Sequence, residues 1–291
     1  MKDKVVLVTG ATDGIGKVTA RALAEKGARV VIVGRNPEKT STAAREVGAA
    51  GYLLADLSSI KQTQAAAEKF LNTYDRLDVL VNNAGSVFMA RRETEDGFEA
   101  TFGLNHLVGY FLFTNLLLDR LVATAAQTGE GRVVSVSSAA HTGARMRWDD
   151  LMLTKGYQGF TAYSQSKLAN VLFTVELARR LAGTGVTANA LHPGFVRTKF
   201  GRTNNERNPL MGAVMTLMSP FAISEQQGAR TSIYLASSPE VQGVTGKYWV
   251  REKVVTPSAA AQDAESARRL WAVSEQLLAE KGVRMAEKVA G

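Results

Sequence analysis

Along this chain, short runs of consecutive apolar, mostly β-branched residues alternate with longer stretches in which apolar positions recur every three or four residues. The runs lie at residues 5–8, 29–33, 51–54, 79–81, 132–136, 186–190 and 248–250. Continuous rather than alternating apolar character predicts strands covered on both faces, with the intervening helices supplying that cover through right-handed crossovers. The pattern therefore predicts an α/β fold of Rossmann type: a doubly wound, seven-stranded parallel sheet with helices on both faces. One domain over residues 1–255 is expected, with residues 256–291 as a helical extension packed on it.

Helix boundaries carry their own punctuation. A helix from residue 16 to 26 stops at Gly27, Pro37 opens the next, Ser58 stands where it can cap the third, and Ser224 caps a late one ahead of Gln227. Residues 263–281 form an amphipathic pattern with Leu270, Trp271, Val273, Leu277 and Leu278 toward one side. Residues 141–160 and 193–220 fit neither element, the second carrying Met211, Met215 and Met218 at helical spacing. Both follow the carboxyl ends of strands, where doubly wound sheets bind ligands, so they are the expected substrate walls and lid. The three methionines suit a pliable pocket and an ordinary core equally.

Composition acts mainly by exclusion. With 291 residues, 45% hydrophobic and 21% charged, the chain has the make-up of an ordinary folded protein. It has no cysteine, which removes disulfides and thiolate chemistry, and 3 histidines are too few for a metal site. The net charge of +8 is spread out, with Arg91-Arg92, Arg179-Arg180 and Arg268-Arg269 as the adjacent pairs, so nucleic acid is not an expected partner. The longest apolar run, residues 107–118, is broken by Gly109 and Asn115 and falls short of the ~20 residues a bilayer requires. The first strand starts close to Met1 and leaves no room for a signal peptide. A cytoplasmic location without stable membrane insertion is expected.

Candidate chemistry begins at Thr9-Gly10-Ala11-Thr12-Asp13-Gly14-Ile15-Gly16, between the first strand and the first helix. Glycines there permit a tight turn and the close approach of backbone N–H groups to a pyrophosphate at the positive helix end. Further along, Tyr163 and Lys167 lie four apart on a predicted helix and share one face. None of the other tyrosines has a lysine at that spacing. A free phenol ionises near pH ~10, and a neighbouring ammonium together with an oxidised, positively charged nicotinamide favours the phenolate, so Lys167 is expected to tune Tyr163. One hydroxyl of the strand-end pair Ser137-Ser138 can steady charge developing on a substrate oxygen as hydride moves. His141 and His192 lack a carboxylate spaced as a triad requires and read as local hydrogen-bonders or pocket lining.

The second strand ends Val33-Gly34-Arg35-Asn36, without the carboxylate that would hold a ribose 2′-hydroxyl. Arg35 instead offers a planar fork suited to a 2′-phosphate, and Gly34 leaves space for it, so NADP(H) is expected over NAD. Lys17 reads as a helix-surface charge.

The glycine turn, Asp56-Leu57, Asn82-Asn83-Ala84-Gly85, Asn105, Ser138, Tyr163, Lys167 and Pro193-Gly194 through Thr198 resemble, in order and spacing, the short-chain dehydrogenase/reductase family. Asn105-His106-Leu107 with Phe111, Val136-Ser137-Ser138-Ala139-Ala140-His141, Gly246-Lys247-Tyr248-Trp249 and Ala267-Arg268-Arg269-Leu270-Trp271 are similar to its retinol-dehydrogenase and WW-domain-oxidoreductase-like branch. The resemblance implies catalytic roles for Asn105, Ser138, Tyr163 and Lys167, with the second serine of the pair active and Asn105 holding a water between Lys167 and solvent. It implies cofactor contacts from Gly10, Thr12, Asp13, Gly14, Ile15, Gly16, Arg35, Asp56, Leu57, Asn83, Ala84, Gly85, Pro193, Gly194, Val196 and Thr198, besides Tyr163 and Lys167. In that scheme Asp56 receives the adenine amino group, the backbone of residues 83–85 walls the adenosine, and Thr198 touches the nicotinamide carboxamide. It also implies a homodimer or homotetramer built on the helices at 97–121 and 160–181.

Val87, Phe88, Met89, Trp148, Leu151, Phe160, Phe195, Met211 and Met215 are the candidate pocket lining, which points to a lipophilic aldehyde, ketone or retinol-like alcohol. A non-catalytic NADP(H)-binding regulator on the same fold is the alternative, against which intact Ser138, Tyr163 and Lys167 weigh. A sugar-nucleotide epimerase would carry a larger C-terminal domain than this chain has.

Overall fold

A computed structural model describes residues 1–196 and 222–284. All seven predicted runs are strands: β1 (Val5–Thr9), β2 (Arg29–Gly34), β3 (Gly51–Leu54), β4 (Val79–Asn82), β5 (Gly131–Val136), β6 (Val186–His192) and β7 (Tyr248–Val250). They are mutually parallel in the order β3-β2-β1-β4-β5-β6-β7. Alternate β1 residues explain the two-sided burial: Val5 and Leu7 enter one apolar cluster, Val6 and Val8 the other.

The sheet has an eighth strand that the apolar pattern does not predict, β8 (Lys253–Val254), antiparallel to β7. Val250 pairs with Lys253, so Arg251 and Glu252 form a two-residue hairpin loop, both at positive φ (50° and 61°). That backbone fits a type I′ turn, which ordinarily announces itself by Asn-Gly or Asp-Gly. Here neither residue is one of those, and both residues of the strand are exposed.

Helices α1 (Gly14–Glu25), α2 (Pro37–Val47) and α6 (Glu225–Ser237) cover one face. On the other lie α3 (Ile60–Thr73), α4 (Ala100–Thr128), α5 (Gly159–Arg180) and α7 (Ala264–Ala279). The third helix is capped by Ser59, not Ser58: the Ser59 hydroxyl accepts from the Gln62 N–H at 3.3 Å, while the Ser58 hydroxyl donates to Asp56 Oδ1 at 2.7 Å. Ser224 and Gln227 form the expected reciprocal cap of α6.

Helix α4 is 29 residues long and apolar enough to cross a membrane by length and composition, which corrects the shorter run read from sequence. Of its most apolar window, 72% is buried inside the fold. Its middle, Gly103–Leu112, is π-helical, and Gly109 has no Cβ where one would strike the Leu104 carbonyl five residues back. On α7, Trp271 is buried with its ring 4.8 Å from Phe111 and 5.9 Å from Phe173, and the Arg180 guanidinium lies 4.2 Å above it. Thr198, Met211, Met215 and Met218 lie outside the described residues.

Candidate active site

After β3, at one edge, the chain returns across the sheet to place β4 beside β1, and the carboxyl ends of β1 and β4 open a crevice there. On the β1 side Gly10 takes a left-handed φ of 63°, and a Cβ would sit 2.8 Å from Ala84 Cα. A Cβ on Gly16 would strike the Asn83 amide and sit 2.5 Å from the Gly10 carbonyl oxygen. The crevice is pinned shut at its base: the Thr9 hydroxyl oxygen accepts the N–H groups of Asn83 and Ala84 at 2.9 Å, and Asn83 Nδ2 donates to Thr9 O at 2.8 Å. Asp13 caps the Gly14 N–H at 3.0 Å. The first-turn N–H groups of Ile15 and Gly16, which α1 cannot satisfy from within, complete a cradle that fits a dinucleotide pyrophosphate.

At Gly34, the end of β2, a Cβ would strike the Thr12 and Thr40 side chains, so close packing requires glycine there. Arg35 is 66% exposed and reaches Asp56 Oδ2 at 3.8 Å. Asp56 also accepts from Ser58, and the Leu57 side chain is buried in the core, so only the backbone of Leu57 is available to a ligand. Lys17 pairs with Glu46 on the helix surface, as read, and that ammonium holds the Glu46 carboxyl below its usual range. Gly194 is left-handed (φ 95°) beside Ile223, and Val196 bridges to Ile223. Thr198 is outside the described residues.

The proposed catalytic side chains converge at the end of β5. Lys167, 3% exposed, donates from Nζ to the Val136 carbonyl at 3.0 Å, and the fully buried Tyr110 hydroxyl donates to the same oxygen at 3.1 Å. Lys167 Nζ lies 5.7 Å from the Tyr163 ring centroid. Burial pushes the lysine down to about 7. Burial also raises the Tyr163 phenol, and the opposing influence is a hydrogen bond from the Ser138 hydroxyl, not Lys167. The lysine nitrogen is bonded to a backbone carbonyl and faces the Tyr163 ring, while the Ser138 hydroxyl makes the direct contact with the phenol.

Asn105 is wholly buried in the π-helical stretch. Its Nδ2 donates to Ser86 O (2.9 Å) and Ser166 Oγ (3.0 Å), and its Oδ1 accepts the Ser86 N–H at 2.8 Å. A Cβ on Gly85 would lie 3.2 Å from Asn105 Oδ1 and 3.5 Å from Lys167 Nζ, so glycine there keeps the amide and the ammonium facing one small space. Ser137 is turned away from the site, its hydroxyl donating to Lys167 O at 2.7 Å and tying α5 to the β5 end. Ser86, Ser166 and Tyr110, the hydrogen-bond partners of the catalytic candidates, carry no signal in the sequence, because single polar residues inside apolar or helical patterns have no distinguishing spacing.

The expected pocket lining divides. Phe160 is 58% exposed with its ring 6.4 Å from that of Tyr163. Trp148 instead packs on the core under the Arg269 guanidinium, 4.6 Å away, and Leu151 is buried. The cavities of about 390 Å³ (Arg45, Gly48, Tyr52) and 330 Å³ (Gly129, Leu181, Thr245) lie at the opposite edge of the sheet and touch none of these groups.

A phosphate-cradling turn, a doubly wound sheet and a Lys–Tyr–Ser cluster with its lysine buried at the strand ends define a nicotinamide-dependent oxidoreductase. The chain belongs to the short chain dehydrogenase family, which it matches over residues 4–209. It is 45% identical to mouse (Mus musculus) retinol dehydrogenase 12 over 94% of this chain and 86% of that protein, and 43% identical to human (Homo sapiens) retinol dehydrogenase 13 over 94% and 84%. The retinol-dehydrogenase-like branch is thereby shown. Among solved structures, the Pseudomonas aeruginosa RhlG/NADP active-site complex is similar at a TM-score of 0.69 and 28% identity, covering 85% of this chain and 94% of that one. The 3-ketoacyl-(acyl-carrier-protein) reductase of Brucella melitensis complexed with NADH gives 0.67 and 25%, covering 85% and 96%.

Proposed function

We propose that this protein is an NADP(H)-dependent oxidoreductase that moves hydride between the nicotinamide and the carbonyl or alcohol carbon of a lipophilic substrate, working in the cytoplasm. The observation that carries the reading is a linked set of contacts: Ser138 hydrogen-bonds the Tyr163 phenol, Lys167 Nζ lies 5.7 Å from the Tyr163 ring centroid, and Lys167 Nζ and Asn105 Oδ1 face one space beside Gly85. When bound, the nicotinamide supplies or accepts the hydride. Ser138 holds the substrate oxygen, and Tyr163 gives or takes its proton at the phenol oxygen. Lys167 and Asn105 relay that proton toward solvent, a role supported by Lys167 Nζ and Asn105 Oδ1 facing one space beside Gly85. Arg35 supports NADP(H), being an exposed guanidinium at the β2 end with no carboxylate of its own strand beside it. Phe160, exposed next to Tyr163, supports an apolar substrate, an aldehyde, a ketone or a retinol-like alcohol.

The α7 helix belongs to the same domain in this reading, and a homodimer or homotetramer contact on α5 has to include α7, since Trp271 covers Phe173 there. The test is a panel of apolar and polar aldehydes, ketones and alcohols, each assayed with NADPH/NADP and with NADH/NAD by absorbance of the reduced nicotinamide. Turnover of apolar carbonyls or alcohols with the phosphorylated cofactor supports the proposal; no turnover with any member alongside tight cofactor binding returns the protein to a binding role.

A further inference from the structure

Two imidazoles grip the turn that presents Ser138, one from each side, and backbone partners dictate the tautomer of each. His141 Nδ1 lies 2.7 Å from the Ser138 carbonyl oxygen, which can only accept, so Nδ1 carries the proton. Its Nε2 is then the lone-pair nitrogen, and it accepts the Ser258 N–H at 3.3 Å. At His192 the logic reverses: Nδ1 accepts the Ala139 N–H at 3.2 Å, which leaves the proton on Nε2. The carbonyl of Ser138 is thus held by one ring and the amide that follows it by the other.

Neither ring has an easy alternative. His141 is 1% exposed and sits edge-on to Tyr248, ring centroids 4.8 Å apart. Protonating either ring would turn an accepting nitrogen into a second donor facing an N–H. Among the described residues, the groups around them, Tyr248 beside His141 and Arg251 and His141 near His192, include no carboxylate to stabilise an imidazolium; burial depresses both rings, His192 to about 4.

We propose that His141 and His192 are a pair of positioning residues, locked as the Nδ1–H and Nε2–H tautomers respectively, that hold the Ser138 hydroxyl against Tyr163, and that Ser258 ties the C-terminal segment to this turn through His141. The catalytic half of this inference rests on the roles proposed above for Ser138 and Tyr163; the tautomer half does not. Because the Ser138 hydroxyl is the group that offsets burial at the phenol, loosening its turn raises the phenol's pKa. The limb of the pH–rate profile that Tyr163 governs then moves to higher pH.

Two measurements on the full chain test this. The first is ¹⁵N–¹H correlation of the imidazole nitrogens at neutral pH, tractable because the chain has 3 histidines. Signals are assigned by their loss in His141→Asn and His192→Asn. His141 should show a protonated Nδ1 and a bare Nε2, and His192 the reverse. The second compares His192→Asn, whose side-chain oxygen can accept the Ala139 N–H, with His192→Leu, which cannot. The leucine variant should lose on the order of tenfold in kcat at little change in KM, with the Tyr163 limb shifted upward, and the asparagine variant should recover most of both. Either ring doubly protonated or in the opposite tautomer overturns the proposal, as does equal behaviour of the leucine and asparagine variants. Should the reaction assignment itself fail, Tyr163→Phe would keep its turnover while the ring spectra stayed as expected, so the two failures are told apart.

Discussion

Lys167 Nζ donates to the Val136 carbonyl at 3.0 Å, and the Tyr163 ring centroid stands 5.7 Å from the same nitrogen. The lysine is therefore anchored to the strand end first and faces the tyrosine second. Ser137, just past β5, reinforces the anchor by bonding Lys167 O, so Val136 and Ser137 hold the α5 helix at both ends of the lysine side chain. This geometry fixes the position of the lysine nitrogen near the Tyr163 phenol, while the Ser138 hydroxyl makes the direct contact.

Replacing Tyr163 with phenylalanine removes the exchangeable proton but keeps the ring against Phe160. General acid–base catalysis contributes on the order of a hundredfold to ten-thousandfold. Steady-state assays should lose turnover by at least that range, with cofactor affinity nearly intact by equilibrium titration. Retention of most activity would remove Tyr163 from the chemistry.

How much of this was legible depends on what makes each feature. The seven parallel strands were plain because two-sided burial forces continuous apolar runs, and Trp271 marked the docked face of α7 because a large ring recurs at helical spacing with Leu270 and Leu278. Tyr163 and Lys167 were legible for the same reason, one helix face at a spacing of four. Asn105's setting was not: residues 103–112 read as ordinary helix, and the π-helical widening depends on packing around Gly109, not on local pattern. The β8 hairpin was hidden by a positive-φ pair of charged residues, and the packing of Thr12 and Thr40 against Gly34 depends on how α2 and the glycine turn meet, which no local pattern carries.

Arg35 bears on the choice of nicotinamide. A charge-assisted, bidentate contact with a 2′-phosphate is worth about 1.5–3 kcal/mol. Arg35→Glu should therefore weaken NADPH binding by roughly tenfold to a hundredfold while NADH binding changes little. Calorimetric titration with both cofactors measures this. Equal effects on the two would assign Arg35 to its ion pair with Asp56.

Gly16 faces the Gly10 carbonyl and the Asn83 amide with no space for a methyl group. In Gly16→Ala the turn has to open, moving the Ile15 and Gly16 N–H groups off their common target. Cofactor affinity should fall more than about tenfold, or ~1.4 kcal/mol, by fluorescence titration. An unchanged dissociation constant would show that the pyrophosphate is held elsewhere.

Trp271 is 4% exposed between Phe111, Phe173 and Arg180. Truncating a buried large aromatic to alanine costs about 3–5 kcal/mol, part of it the cavity left behind. Trp271→Ala should lower stability by that amount in urea unfolding. A loss below ~1 kcal/mol would mean that α7 contributes little to the core it covers.

Burial of Lys167 also predicts a pH dependence of stability opposite to that of most paired charges. The side chain titrates at about 7 in the folded protein against an ordinary 10.5. Between those values the unfolded chain binds a proton that the folded one does not, so stability rises with pH across that window. Below about 7 both states carry the charge and the cost of burying it is felt in full; above about 10.5 neither does. Lys167→Met, which fills the same space without a charge, should be more stable than the parent at neutral pH by an amount on the order of a few kcal/mol, and its unfolding free energy should no longer climb between pH 7 and 10.5 on this residue's account. Urea unfolding of both proteins at a series of pH values measures it. A parent whose stability is flat or falling over that range relative to the variant would show that the Val136 carbonyl and the Tyr110 and Tyr163 rings keep the ammonium charged, and that the site holds a fixed cation even before any cofactor enters.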